Sequence, residues 1–222
     1  MILNLYLFRH AETENNVNKD RVAGQSNSLE LSQRGLEQAK LLGIRLKKEK
    51  IFFNQVYSST AVRAKKTSEI VCETIDFPKN KIITSNDLLE ISQGDWEGKK
   101  RIEVYTPEII ARIKKETWNF KAPNGESQKE VEERAYNWIK KNLLKELNKN
   151  LSVAIFGHGL TTKCLIRKIM NSDPRLTYKI SIDNCSITQF KYCSEGQHQG
   201  WSLIKVNDNS HLQNNFVSDD RI

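Results

Sequence analysis

The chain of 222 residues is long enough for one well-buried domain, and its 38% hydrophobic and 28% charged content, with ten Gly and four Pro, excludes a disordered or fibrous protein. Its formal charge of +8 is compatible with nucleic acid, a membrane surface or an anionic small molecule as partner. The Lys and Arg residues are dispersed along helical segments such as 36–50 and 131–149, with no aromatic RNA-binding signature and no helix-turn-helix pattern, so neither nucleic acid nor membrane is expected.

Met1 to Phe8 is apolar but runs straight into Arg9 and His10, too short for an export segment or a membrane span. Leu3 to Phe8 is expected to form a strand buried on both faces, and Gln55 to Ser58 and Ser152 to Phe156 have the same character. Helical patterns lie between and after them. The first runs from a Ser32 cap through Leu36, Ala39, Leu42, Gly43 and Leu46 to about Lys50, and the second follows Ser59 through Ala61, Ala64, Ile70 and Val71. The third opens at Ser127, spaced from Glu130 as in a capping box, and continues through Val131, Ala135, Trp138, Ile139 and Leu143. The fourth spans about Leu160 to Met170, and Ser186 to Cys193 and Trp201 to Val206 then read as two strands joined hairpin-like through Glu195 and Gly196. This alternation predicts an α/β three-layer sandwich with a mostly parallel central sheet flanked by helices. From Asp208 the sequence is polar and aperiodic, which divides the chain into a single domain over 1–207 and a mobile polar tail over 208–222. Cys72, Cys164, Cys185 and Cys193 fall in predicted helices or strands without metal-ligand spacing, as expected of reduced, buried thiols in a cytoplasmic protein.

Four polar clusters sit at predicted strand ends or in the turns that follow, where ligands bind in open α/β sheets. The first is Arg9-His10-Ala11-Glu12-Thr13 with Asn16: an Arg offers a fork of donors to phosphate oxygens, and a neutral imidazole beside it offers a nucleophile. The second, Ser58 to Ala64, brings Arg63 into the first turns of a helix, whose N-terminus favours anions. The third is Leu89-Glu90 followed by Gly94-Asp95-Trp96-Glu97-Gly98, where partial burial would keep Glu90 protonated for donation to a leaving alkoxide. The fourth is Gly157-His158-Gly159, a second histidine between glycines that let backbone approach a ligand. Each alone is equally well read as a solvated or structural group.

Together they resemble the histidine phosphatase superfamily, also called the phosphoglycerate mutase-like family. The resemblance extends from about Leu3 to Phe190 and includes Leu31-Ser32-Gln33-Arg34-Gly35 with Gln38-Ala39, Thr67, and Pro123-Asn124-Gly125-Glu126-Ser127. It implies that His10 is phosphorylated, that Arg9, Arg63 and His158 bind the phosphoryl oxygens with help from Asn16, and that Glu90 is the proton donor. Ala23, Gly24, Gln25 and Gly159 fall where members of the family line the substrate site. Ala11 departs from the family's usual Gly but keeps a small residue. The implied enzyme is a phosphatase for a small phosphorylated substrate, with no cofactor and no metal; a homodimer is left open.

Three rival readings follow. A cofactor-dependent phosphoglycerate mutase would return the phosphoryl group to substrate, but such mutases carry a longer insertion where only about two dozen residues separate Gly98 from Pro123 here. Arg112, Lys114 and Lys115 in that segment are expected to be solvated helix charges. A non-catalytic module that binds phosphorylated ligands would not need the donor carboxylate Glu90. A metal enzyme would need ligand spacing that His10, His158, His198 and His211 lack.

Overall fold

A computed structural model describes residues 1–145 and 147–213. In chain order its main elements are β1 (Ile2–Arg9), α1 (Glu14–Val17), α2 (Gln33–Lys48), β2 (Gln55–Ser59), α3 (Val62–Thr74), β3 (Ile82–Ser85), α4 (Arg101–Val104), α5 (Pro107–Glu116), α6 (Gln128–Ile139), β4 (Leu151–Gly157), α7 (Gly159–Ile169), β5 (Ile187–Cys193) and β6 (Gly200–Asp208). The six strands form one sheet in the order β3-β2-β4-β1-β5-β6. The first four neighbours pair in parallel, whereas β5 runs antiparallel to β1 and forms a hairpin with β6.

The near-continuous apolar runs of β1 and β4 are explained by helices on both faces of the sheet. Leu3, Leu5 and Leu7 of β1 and Val153 and Ile155 of β4 pack with Ala135, Trp138 and Ile139 of α6 and Leu165 and Ile166 of α7. The alternate residues Phe8, Ala154 and Phe156 face Ala39, Leu42 and Leu46 of α2 and Val71 and Cys72 of α3. Side-chain alternation along a strand therefore assigns one residue set to each helical layer. Burial of each such Leu contributes roughly 2 kcal/mol before conformational entropy is counted.

The helix starts follow the sequence signals. Ser32 Oγ accepts from the Gly35 amide at the start of α2, and at α6 the Ser127 and Glu130 side chains cap each other's backbone amides. Between α6 and α7, the buried Arg167 guanidinium donates to Glu132 at 2.7 Å, Gln128 at 3.0 Å and Thr177 at 2.7 Å. Losing Glu132 would leave the Arg167 charge buried without its counterion, so the network fixes how the two helices meet.

Strand β3 and helix α4 carry weaker sequence signals, whereas α5 holds Arg112, Lys114 and Lys115, exposed on a helix as expected. The segment containing α4 and α5 makes its own small apolar cluster, in which Val22, Trp96, Val104 and Ala122 are buried with Tyr105, Ile109 and Phe120 against them. The chain crosses to it through Val22, whose amide donates to Lys99 and whose carbonyl accepts from Gly98.

Two expectations need correction. The tail boundary at 207/208 does not hold: β6 includes Asp208, which pairs with Arg45 at 2.6 Å, and Leu212 is fully buried against the α2–α3 layer. The polar sequence from 208 conceals this because docking is carried by Leu212 and by scattered polar contacts, those of Arg45 with Asp208, Ser210 and His211 and that of Asn209 with Asp183, rather than by a periodic stripe. Residues 214–222 of the expected tail lie outside the described residues. Among the cysteines, Cys185 sits in a turn before β5 with φ of 56°, not inside a strand, although it is buried as expected, and Cys193 at the end of β5 is half-buried rather than buried. Among the described residues no helix is long and apolar enough to cross a membrane.

Candidate active site

Because β1, β2, β3 and β4 are mutually parallel, their carboxyl ends share one edge of the sheet. Arg9 ends β1 and His10 follows it, Ser59 ends β2, Glu90 follows β3 after one short helical turn, and His158 follows β4. The His10 amide donates to the Gly157 carbonyl at 2.9 Å, which ties the first and fourth clusters together directly. The His10 and His158 rings meet edge to face with centroids 5.3 Å apart.

His10 is 5% exposed, and its Nδ1 lies 2.7 Å from the Ala11 carbonyl. A carbonyl can only accept, so Nδ1 carries the proton and the neutral ring keeps its lone pair on Nε2. Burial, then Arg63 and Arg9, hold the imidazole well below the usual histidine range, which keeps it neutral at pH 7. The backbone behind it is braced by the turn before β5: the Asn184 amide group donates to the His10 carbonyl at 2.9 Å, and the Cys185 N–H to the Arg9 carbonyl at 3.1 Å.

Two guanidinium groups are buried beside it. Arg9 donates from Nη1 to the Ile182 carbonyl at 2.6 Å; burial lowers its pKa to about 10, against the pull of Glu90 and Asp183. Arg63, in the first turn of α3, donates to the carbonyls of Ser26 at 2.9 Å, Gly24 at 3.3 Å and Gln25 at 3.4 Å. The same loop is gripped from its amides, since Glu97 accepts from Gln25 N at 2.9 Å and Ser26 N at 3.3 Å. Gly24 has φ of +50°, and a Cβ there would lie 2.4 Å from Glu97 Oε1, so only glycine lets the loop pass between carboxylate and guanidinium.

His158 is fully buried; its Nε2 is 2.8 Å from Ser59 Oγ and its Nδ1 has no partner. If the Ser59 hydroxyl donates to Nε2, Nδ1–H is a buried donor awaiting an acceptor. Burial, then Arg63, His10, Arg9 and Arg134, keep this ring neutral as well. Glu90 is half-buried, and its carboxylate accepts from Leu160 N at 3.0 Å, Thr161 N at 3.1 Å and Thr161 Oγ1 at 3.1 Å. It thus sits on the N-terminus of α7, in the first turn after His158.

The anticipated residues Arg9, His10, Arg63, Glu90 and His158 therefore converge. Gly24 and Gln25 belong to the same cluster, Gln25 also through its Nε2 donating to the Glu90 carbonyl at 3.1 Å. At Gly159 a Cβ would meet Arg9 Nε at 3.3 Å, so its small size lets the guanidinium lie against the start of α7. Asn16 is one step removed: its Oδ1 accepts from Thr13 N and Oγ1, each at 3.0 Å, and from Asn184 at 3.4 Å. Ala23 joins only through the chain, as the half-buried residue before Gly24. Ser59, Glu97 and the Asp183-Asn184-Cys185 turn bear on the site without having been assigned a part in it. Lys163, one turn along α7, is a further neighbour whose pKa is lowered by burial and then by Arg9. Ser59, Glu97 and Lys163 each lie within a few residues of an anticipated site residue, Arg63, Glu90 and His158 respectively, whereas the Asp183 turn carries turn-forming residues but no chemical motif.

A family model described as the histidine phosphatase superfamily, branch 1, matches residues 5–209. A probable phosphoglycerate mutase of Proteus mirabilis is 30% identical over 215 residues, covering 95% of either chain. Phosphoserine phosphatase 1 of Hydrogenobacter thermophilus is 28% identical over 224 residues, covering 97% of either chain. Among solved structures, a mycobacterial glucosyl-3-phosphoglycerate phosphatase superposes with a TM-score of 0.78 at 24% identity, covering 94% of this chain and 100% of its own, a likeness of fold.

Proposed function

Because the chain belongs to the histidine phosphatase superfamily, branch 1, we propose that it is a metal-independent phosphomonoesterase that moves a phosphoryl group from a small phosphorylated metabolite to His10 and then to water. The observation that carries this reading is the His10 ring itself: neutral, with Nδ1–H committed to the Ala11 carbonyl and Nε2 left as the nucleophile beside Arg9, Arg63 and His158.

In the first half-reaction Nε2 attacks phosphorus as the bond to the ester oxygen breaks, and Glu90 gives that oxygen its proton. Charge on the equatorial oxygens is offset by the Arg9 and Arg63 guanidinium groups and by the His158 N–H, donors already fixed by their own partners. In the second half-reaction water attacks the phosphorus, Glu90 as carboxylate takes the water's proton, and the N–P bond breaks to return neutral His10 and inorganic phosphate. Preorganisation carries most of the rate, since little covalent work falls to other groups.

The curated relatives include both a phosphatase and a probable mutase by name, so transfer back to substrate is the second reading. The short segment between Gly98 and Pro123 does not choose between them, since the probable mutase of Proteus mirabilis aligns over 95% of either chain; phosphate release against isomerisation does. Labelled 4-nitrophenyl phosphate, quenched during turnover, is expected to leave acid-labile label on His10, and His10→Ala to lose about a thousandfold or more in kcat. Full turnover by His10→Ala defeats the proposal, isomerisation of a phosphoglycerate without phosphate release favours the mutase, and binding without release favours a non-catalytic module.

A further inference from the structure

We infer that Arg134 is a positioning residue for the proton donor, fixing the backbone from which Glu90 reaches the leaving group; this rests on the reading of Glu90 as the general acid. Arg134 lies on α6, outside the four clusters in sequence, and its side chain is 18% exposed. Its Nη1 donates to the carbonyls of Asp87 at 2.8 Å and Leu89 at 3.2 Å, and its Nη2 reaches the Glu90 carbonyl at 3.5 Å. The remaining donors, Nε and Nη2, meet the two oxygens of Glu126 at 2.9 Å each.

Glu126 closes the clamp on the other side of Glu90. Its Oε2 accepts from the Ser92 amide at 3.0 Å, and its own amide donates to the Ser92 carbonyl at 2.8 Å. Gly125 allows this approach, because a Cβ there would lie 2.6 Å from that carbonyl. Backbone on both sides of Glu90, from Asp87 to Ser92, is thus bonded to one Arg–Glu pair, while the Glu90 carboxylate is bonded to the start of α7. A simple surface ion pair needs only the Glu126 contacts; the three carbonyl contacts require the planar five-donor fork, which Lys cannot reproduce.

A displaced donor is felt only where the leaving group needs a proton. In kcat/KM, which reports the phosphorylation half-reaction, Arg134→Met is expected to lose about tenfold to a hundredfold on phenyl phosphate, a part of the general-acid contribution. On 2,4-dinitrophenyl phosphate, whose leaving group departs as an anion, the loss is expected to stay below about threefold. Glu90→Gln should show the same contrast between substrates more strongly, Arg134→Lys should fall between wild type and Arg134→Met, and Arg134→Met added to Glu90→Gln should cost little more. Equal losses on both substrates, or none on either, overturn the inference. If Arg134→Met does not fold, Glu126→Gln, which loosens the same clamp, is read by the same criterion. Absence of any substrate contrast in Glu90→Gln would overturn the parent reading of Glu90 instead, and is separately visible.

Discussion

His211 makes the docking of the chain end testable through pH. It follows β6 in the segment that covers the Cys185 turn, with Nδ1 3.2 Å from Arg45 Nη1, so the ring accepts from a cation and must be neutral. Burial and then Arg45 push its pKa from 6.5 down to about 4. The folded state resists the proton that the unfolded state takes up, so the stability contributed by this residue is fully present above pH 6.5 and is lost as the pH falls towards 4. Between pH 7 and pH 5 the unfolded ring becomes charged while the folded ring stays mostly neutral, a change of about twentyfold in the folding equilibrium, or ~2 kcal/mol. His10 and His158 add loss of the same sign, since both are held below the usual histidine range. They are present in both proteins when wild type is compared with His211→Gln, so the difference isolates His211. Thermal melts at pH 7 and pH 5 should show the variant's drop in Tm to be smaller by about 4–8 °C, from ~2–4 °C per kcal/mol for a chain of this size. Identical drops in both proteins would mean that His211 is solvated and that the segment after β6 is not docked.

Other expectations concern the site directly. Gly24→Ala would force a Cβ to 2.4 Å from Glu97 Oε1, displacing the loop whose carbonyls hold Arg63. Steady-state kinetics should show kcat/KM reduced at least about tenfold, and a change under about twofold would remove that loop from the site. In the pH profile of kcat/KM, corrected for ionisation of the substrate, the acid limb due to His10 should lie below the ordinary histidine range, because burial, Arg63 and Arg9 all disfavour its protonation. A limb at or above pH 6.5 would contradict a buried, neutral nucleophile.

Much of this protein is legible in its sequence because the signals are local. Apolar runs at Leu3–Phe8 and Ser152–Phe156 specify strands covered on both faces, Ser32 and Ser127 specify where helices begin, and Arg9-His10 and Gly157-His158-Gly159 mark the strand ends where chemistry gathers. Those signals identify the fold class and the five residues that converge. They do not say how each group is held. That His10 keeps Nε2 free depends on the Ala11 carbonyl, that Arg63 is fixed depends on a loop some forty residues earlier and on Glu97, and that Glu90 is anchored depends on α6 and α7 together. The chain end likewise reads as polar from Asp208, yet it docks through Arg45 and Leu212, single contacts with no period to betray them. Sequence determines what recurs along the chain, because periodicity and capping act within a few residues; only tertiary structure decides which distant donor meets which acceptor, because those partners are brought together by parallel strands ending on one edge.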